Sequence, residues 1–167
     1  APLGSTRAVA ALSDDLISGW GVRQFNWETA VALQHELGPG LSLNVNYARR
    51  WFGNFTVTDN LAVSPSDYDT YCVMAPADSR LGQTSGQQIC GLFDLKPESF
   101  GVTPNQIVAK ASDYGKQSSV YNGVDLALNY RLGRGVLLGG GFSTGSQTTD
   151  NCEVRPDSPD KRFCRNT

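Results

Sequence analysis

Two stretches of this chain alternate apolar and polar residues on either side of a tight glycine turn, a pattern that paired β-strands satisfy and helices do not. In the first, residues 25–57, Trp27, Thr29, Val31, Leu33, His35 and Leu37 share one parity, and Glu28, Ala30, Ala32, Gln34 and Glu36 take the other. After Gly38-Pro39-Gly40, Leu41, Leu43, Val45, Tyr47 and Trp51 alternate with Ser42, Asn44, Asn46, Ala48 and Arg50. The second stretch, residues 119–145, sets Val120, Asn122, Val124, Leu126, Leu128, Tyr130 and Leu132 against Tyr121, Gly123, Asp125, Ala127, Asn129 and Arg131. It turns at Gly133-Arg134-Gly135 and returns with Val136, Leu138, Gly140 and Phe142 opposite Leu137, Gly139, Gly141 and Ser143. The run Gly139 to Gly141 predicts a bend or a close backbone approach.

Outside the hairpins lie two long polar segments, residues 58–118 and 148–167. The first carries Pro65, Pro76, Pro97 and Pro104, the aromatics Tyr68, Tyr71, Phe93 and Phe100, and Cys72 with Cys90. It is too long for a plain connector and reads as a folded loop, with a short helix expected over 104–111. The second carries Cys152 and Cys164. Four cysteines allow three pairings. Because each pair falls within one loop, Cys72–Cys90 and Cys152–Cys164 are expected, each closure stabilising by roughly 3 kcal/mol in the chain-entropy picture. Disulfides point to a periplasmic, cell-surface or extracellular location. A zinc site is disfavoured, since there is no CxxC pair and His35, the single histidine, lies in a strand.

Short turns at one end and long, cysteine-bearing loops at the other are the asymmetry of an outer-membrane β-barrel. One parity, with Glu28, Gln34, Glu36, Asn44, Asn46, Arg50, Asp125, Asn129 and Arg131, suits a water-filled lumen. The other is aliphatic, and Trp27, Tyr47, Trp51 and Tyr130 are expected near strand ends, as in the aromatic girdles of a membrane interface. A soluble β-sandwich gives the same alternation; loop asymmetry favours the barrel.

The chain of 167 residues is expected to be one domain. Its net charge of −2, from 14 basic and 16 acidic residues, gives no global field for nucleic acid, and Arg49, Arg50, Arg131 and Arg134 are too few and scattered for a nucleic-acid footprint. With 18 glycines and 18% charged residues it reads as a glycine- and hydroxyl-rich β protein. No apolar run of helical membrane-span length occurs, which leaves strand-built membrane proteins open. The start, Ala1-Pro2-Leu3-Gly4-Ser5, lacks a signal core, so a removed signal or a start within a larger protein is expected. Residues 1–21, with the apolar run 8–12 and Asp14-Asp15-Leu16-Ile17, fit a helical turn, a strand or the tail of a loop equally.

The inventory for catalysis is thin, and no catalytic, cofactor-binding or metal residue is assigned. His35 reads as a strand-end histidine. Glu28 and Asp125 are the carboxylates that could face each other as in a glycosidase, but nothing in the sequence brings them together. The acidic groups Asp14-Asp15, Asp67/Asp69, Asp150 and Asp157/Asp160 do not follow the twelve-residue calcium loop; calcium on loop carboxylates is the one cofactor they raise, with solvated turns the default. The glycine runs are not phosphate loops, as no Gly-Lys-Ser/Thr follows. Asn54-Phe55-Thr56 matches a glycosylation sequon.

Several runs resemble the TonB-dependent-receptor-type outer-membrane barrels, specifically those with an N-terminal carboxypeptidase-regulatory-like domain. These are Asn26-Trp27-Glu28, Gln34-His35-Glu36-Leu37, Tyr47 with Arg49-Arg50, Gly53-Asn54-Phe55 and Val57-Thr58-Asp59-Asn60, then Ala75-Pro76-Ala77-Asp78-Ser79-Arg80-Leu81, Ile89-Cys90-Gly91-Leu92-Phe93-Asp94 and Tyr121-Asn122-Gly123-Val124-Asp125. The resemblance covers most of residues 25–153. It implies energised uptake or surface binding of a substrate too large for simple porins, with outer-membrane lipid and a TonB-type energy-coupling protein as partners. A plug, a TonB-interacting segment and an aromatic C-terminal strand are not recognisable, so the resemblance implies a piece of a longer barrel or one completed by other chains, a homo-oligomer included.

The expected fold is therefore all-β: an antiparallel meander of hairpins with short turns and long disulfide-closed loops, a segment of a transmembrane β-barrel. The expected role is outer-membrane uptake or surface binding through the loops, without enzyme activity. The competing class is a secreted, soluble β protein acting as an adhesin or assembly subunit through a free sheet edge.

Overall fold

The computed structural model describes residues 10–167; residues 1–9, which include Ala1-Pro2-Leu3-Gly4-Ser5 and the start of the apolar run at Ala8, lie outside the described residues. The chain is mostly β. Strand β1 (Ala10–Leu12) and the single-turn helix α1 (Asp14–Ile17) precede the first hairpin, β2 (Phe25–Gly38) and β3 (Leu41–Gly53). Strands β4 (Thr56–Asn60), β5 (Tyr68–Met74), β6 (Gln88–Leu95) and β7 (Gln106–Lys110) follow. The second hairpin is β8 (Ser118–Leu132) and β9 (Val136–Asp150), and β10 (Arg165–Asn166) closes the chain.

The two hairpins form one antiparallel sheet in the order β10-β9-β8-β3-β2. Its central join is β3 with β8, where Leu43 faces Leu128, Val45 faces Leu126 and Tyr47 faces Val124. Both tight turns therefore lie at one end of the sheet, and the β3–β8 connection leaves from the other. Gly40 makes the first turn with a left-handed φ of 77°, and a Cβ there would sit 2.8 Å from the Arg131 carbonyl oxygen. The Arg131 amide donates to the Gly40 carbonyl at 2.7 Å, fixing this turn against β8.

The β3–β8 connection folds on itself. A three-stranded sheet, β1-β7-β4, sits at its base, with β1 parallel and β4 antiparallel to β7. Strands β5 and β6 form a separate hairpin beyond it. The helix expected over 104–111 is not there: Gln106–Lys110 is strand and only Ala111–Asp113 makes a 3-10 turn. β-branched Ile107 and Val108 oppose Asp59 and Thr58 of β4, and that pairing outweighs the helix-start signal of Pro104. At the N-terminal end the strand and helical-turn alternatives both occur, in β1 and α1.

The second hairpin outruns its expected end at residue 145, because the hydroxyl-rich stretch to Asp150 continues the ladder to Ser118. Gly139–Gly141 do not bend the strand; they stay in register with Asn129, Leu128 and Ala127, and a Cβ on Gly141 would lie 2.9 Å from the Leu126 carbonyl oxygen. Tyr47 sits in the middle of β3 rather than near its end, leaving Trp27, Trp51 and Tyr130 as the terminal aromatics.

Neither broad face of the long sheet is covered by the described residues. Among the described residues the buried hydrophobic side chains are Ala75, Ala109, Ala111, Val154 and Cys164, all outside β2, β3, β8 and β9. Val31, Leu33, Leu126, Leu128, Leu138 and Phe142 are 39–65% exposed. Fully burying such a side chain contributes about 1.5–3 kcal/mol, so the sheet leaves most of that stabilisation unrealised.

On the polar face, Tyr121 lies over two glycines: a Cβ at Gly123 or Gly145 would collide with its phenol ring. This covers bare backbone with an aromatic side chain, a device for stiffening glycine-containing strands. Gly140, by contrast, has open space where its Cβ would be. The expected outcome is that Gly145→Val lowers unfolding stability by about 1–3 kcal/mol and Gly140→Val does not. Denaturant titrations of both variants in the medium that keeps the wild type folded would check this.

Candidate functional site

The residues that carry polar chemistry fall on two surfaces, the polar face of the long sheet and the loop end. On the face, Arg50 Nε donates to Glu28 at 2.7 Å, an ion pair across β2 and β3. Asn46 donates to Asp125 at 3.1 Å, and the Ser143 hydroxyl donates to the other carboxylate oxygen. Glu28 and Asp125 are not a catalytic pair: β3 lies between them, which separates them by about 10 Å sideways alone, and each is held by its own partners. A glycosidase pair needs about 5–9.5 Å between carboxyls.

At the loop end the geometry is that of a rigid platform. Cys72–Cys90 ties β5 to β6 and Cys152–Cys164 closes the last loop, with Cα separations of 4.1 and 4.7 Å. These are the expected pairings. The tyrosine hydroxyl of Tyr114 donates to buried Asp59 at 3.0 Å, joining the β7–β8 corner to β4; burial first, then this bond, raises the phenol's pKa. Asp67 accepts from the Ser64 amide and hydroxyl and from Ser99, which caps the turn before β5 and holds its pKa below the ordinary value. Lys110 pairs with Asp15 at 3.0 Å and so fastens α1 to β7.

A cleft of about 590 Å³ opens where these parts meet the sheet, lined by Phe52, Asn54, Phe55, Lys110, Lys116 and Glu153 among others. Asn54 has a left-handed φ of 55°, which Asn tolerates better than most residues. Its amide nitrogen donates to the Gly21 carbonyl and, at 2.9 Å, to that of Arg23. The nitrogen that the sequon offers for glycosylation is thus the one that binds the segment ahead of β2.

The acidic groups do not converge. Asp78 pairs with Arg80, Asp160 with Arg162, and Asp150 accepts from the Cys152 amide. Among the described residues no three metal-ligating side chains gather. His35 lies in β2 opposite Leu43, away from either cleft or carboxylate pair. The loop end is a folded, disulfide-braced surface with a mixed apolar and charged cleft. The sequence reading missed Asn54 as a clamp and the placement of Arg49, which shares a face with Tyr47 and Asn122 rather than with Arg50. Residue parity alone carried that second signal.

Compared with family models, with curated proteins and with solved structures, the chain matches none.

The Arg162 hydrogen bonds hold the Asp160 carboxyl down to about 2 from an ordinary 3.8. A depressed carboxylate pKa contributes stability that is present above the ordinary value and is lost as pH falls through the depressed one. The closed 152–164 loop is therefore expected to loosen between pH 4 and about pH 2. In an NMR titration Asp160 should show its midpoint near 2, and Arg162→Gln should move it back towards 3.8.

Proposed function

We propose that this chain is a segment of an outer-membrane β-barrel, akin to the TonB-dependent-receptor type, that contributes to substrate uptake or surface binding through its loop end. The observation that carries this reading is the long sheet itself, with one largely aliphatic and one polar face and, among the described residues, no protein core against either. A water-filled lumen accommodates the Glu28–Arg50 and Asn46–Asp125–Ser143 groups, and lipid accommodates the aliphatic face.

One geometric feature supports it. From Leu132 at the turn end to Val124, the last apolar residue before Asn122, is about 27 Å along β8, or about 21 Å along the membrane normal at a tilt of about 40°. That is close to the apolar band of about 25 Å in such barrels. The outer edge of β2 and that of β9 on the turn side of its short pairing with β10 are the places where further strands, from the same protein or another copy, continue the sheet, because a bilayer tolerates no open edge.

The test is solubility and mass of the native, non-reduced protein from its source. The proposal expects extraction only with detergent, in a particle with more strands than this sheet. A monodisperse, water-soluble product of this length would contradict it and favour the secreted adhesin or assembly subunit, in which protein covers the aliphatic face.

A further inference from the structure

We infer that Arg49 and the groove beside it form a binding site on the aliphatic face for an anionic lipid, a phosphate headgroup held at the guanidinium and an acyl chain laid in the groove. This rests on the reading of that face as lipid-facing. Between the strand ends Arg49 is the only permanently charged side chain on it; its row across the sheet is Thr29, Arg49, Asn122 and Ser146. The next rows towards the turns, Val31-Tyr47-Val124-Thr144 and Leu33-Val45-Leu126-Phe142, are apolar but for Thr144, and His35 stands in the row after them.

A cation is strongly disfavoured at mid-bilayer and nearly free of penalty near the interface. Arg49 stands at the loop-side edge of the apolar band, with exposed Trp27 and Trp51 in the next row outward. Its guanidinium is oriented by one hydrogen bond, Nη1 to Asn122 Oδ1 at 3.1 Å, and Tyr47 donates to the same oxygen at 2.9 Å. The ion pairs among the described residues engage Arg50, Arg80, Lys110, Arg162 and Arg165, so Arg49 keeps its charge uncompensated and most of its donors free. A planar cation of this kind suits a phosphate, which it can engage through two parallel N–H donors.

A shallow groove of about 250 Å³ spans the Arg49 row and the next one turnward, lined by Tyr47, Asn122, Val124, Thr144 and Ser146 and floored by Gly123 and Gly145. It begins at the residue that orients Arg49 and ends at Val124 and Thr144, where the apolar band starts. A headgroup at Arg49 therefore places a chain in the groove, which a soluble anion cannot use.

The experiment counts lipids bound to the full chain by native mass spectrometry in neutral detergent doped with equal phosphatidic acid and phosphatidylcholine. The wild type is expected to retain phosphatidic acid by roughly fivefold over phosphatidylcholine, the scale of one basic side chain at an anionic surface. Arg49→Gln should bring the two near parity, while Arg131→Gln, on the opposite face, should leave the preference intact. Inorganic phosphate in excess should not displace the lipid. A preference unchanged in Arg49→Gln, or lost equally to inorganic phosphate, overturns the inference. Quenching of Trp27 and Trp51 emission by brominated acyl chains is read in the same micelles. Without quenching the barrel reading falls together with this site; quenching without headgroup preference overturns this site alone.

Discussion

The fold depends on one constraint: a long antiparallel sheet whose two faces differ in polarity must find two different media, and the described residues supply neither. The sheet's inner backbone hydrogen bonds are satisfied within the ladders that join β2, β3, β8 and β9, while the outer edge of β2 and most of that of β9 have no partner among the described residues. Its side chains are not shielded, and the few buried hydrophobic residues belong to the loop end. Water can serve the Glu28–Arg50 face. The aliphatic face needs lipid or another apolar surface, since small domains draw their stability chiefly from buried apolar area.

That constraint explains the division of labour along the chain. The strands are repetitive and set only by parity, register and the need for tight turns. The loop end carries the features that fix a unique surface: two disulfides, the Asp59–Tyr114 bond, the capped turn at Ser64–Asp67 and the Asn54 clamp. These brace a segment that lacks a large core of its own, as covalent links do in small extracellular domains. Function, on the proposed reading, lies in this braced end, while the sheet places it at the membrane surface.

Much of the sheet was legible in the sequence because its signal is local. Alternation over Trp27–Leu37 and Val120–Leu132 fixes which residues share a face, and the glycine turns fix which strands are neighbours. The pairing of the cysteines followed from their placement in two separate loops. What was not legible depended on non-local pairing. Whether Gln106–Lys110 became helix or strand was decided by β4, fifty residues earlier, and the end of β9 by its partner Ser118–Gly123. Tyr47 looked terminal because its alternation was read without the strand's full length. Arg49 was grouped with its neighbour Arg50 as a pair of basic residues, although adjacent strand residues point to opposite faces.

The central claim is that the aliphatic face meets lipid, and the most direct measurement is the accessibility of nitroxides placed one at a time from Val124 to Asn129 in the protein reconstituted in bilayers. The account predicts a period of two. Positions 124, 126 and 128 should be exposed to oxygen dissolved in the hydrocarbon, and positions 125, 127 and 129 to a water-soluble nickel complex. If 124, 126 and 128 are shielded from both reagents, protein covers that face and the account is contradicted.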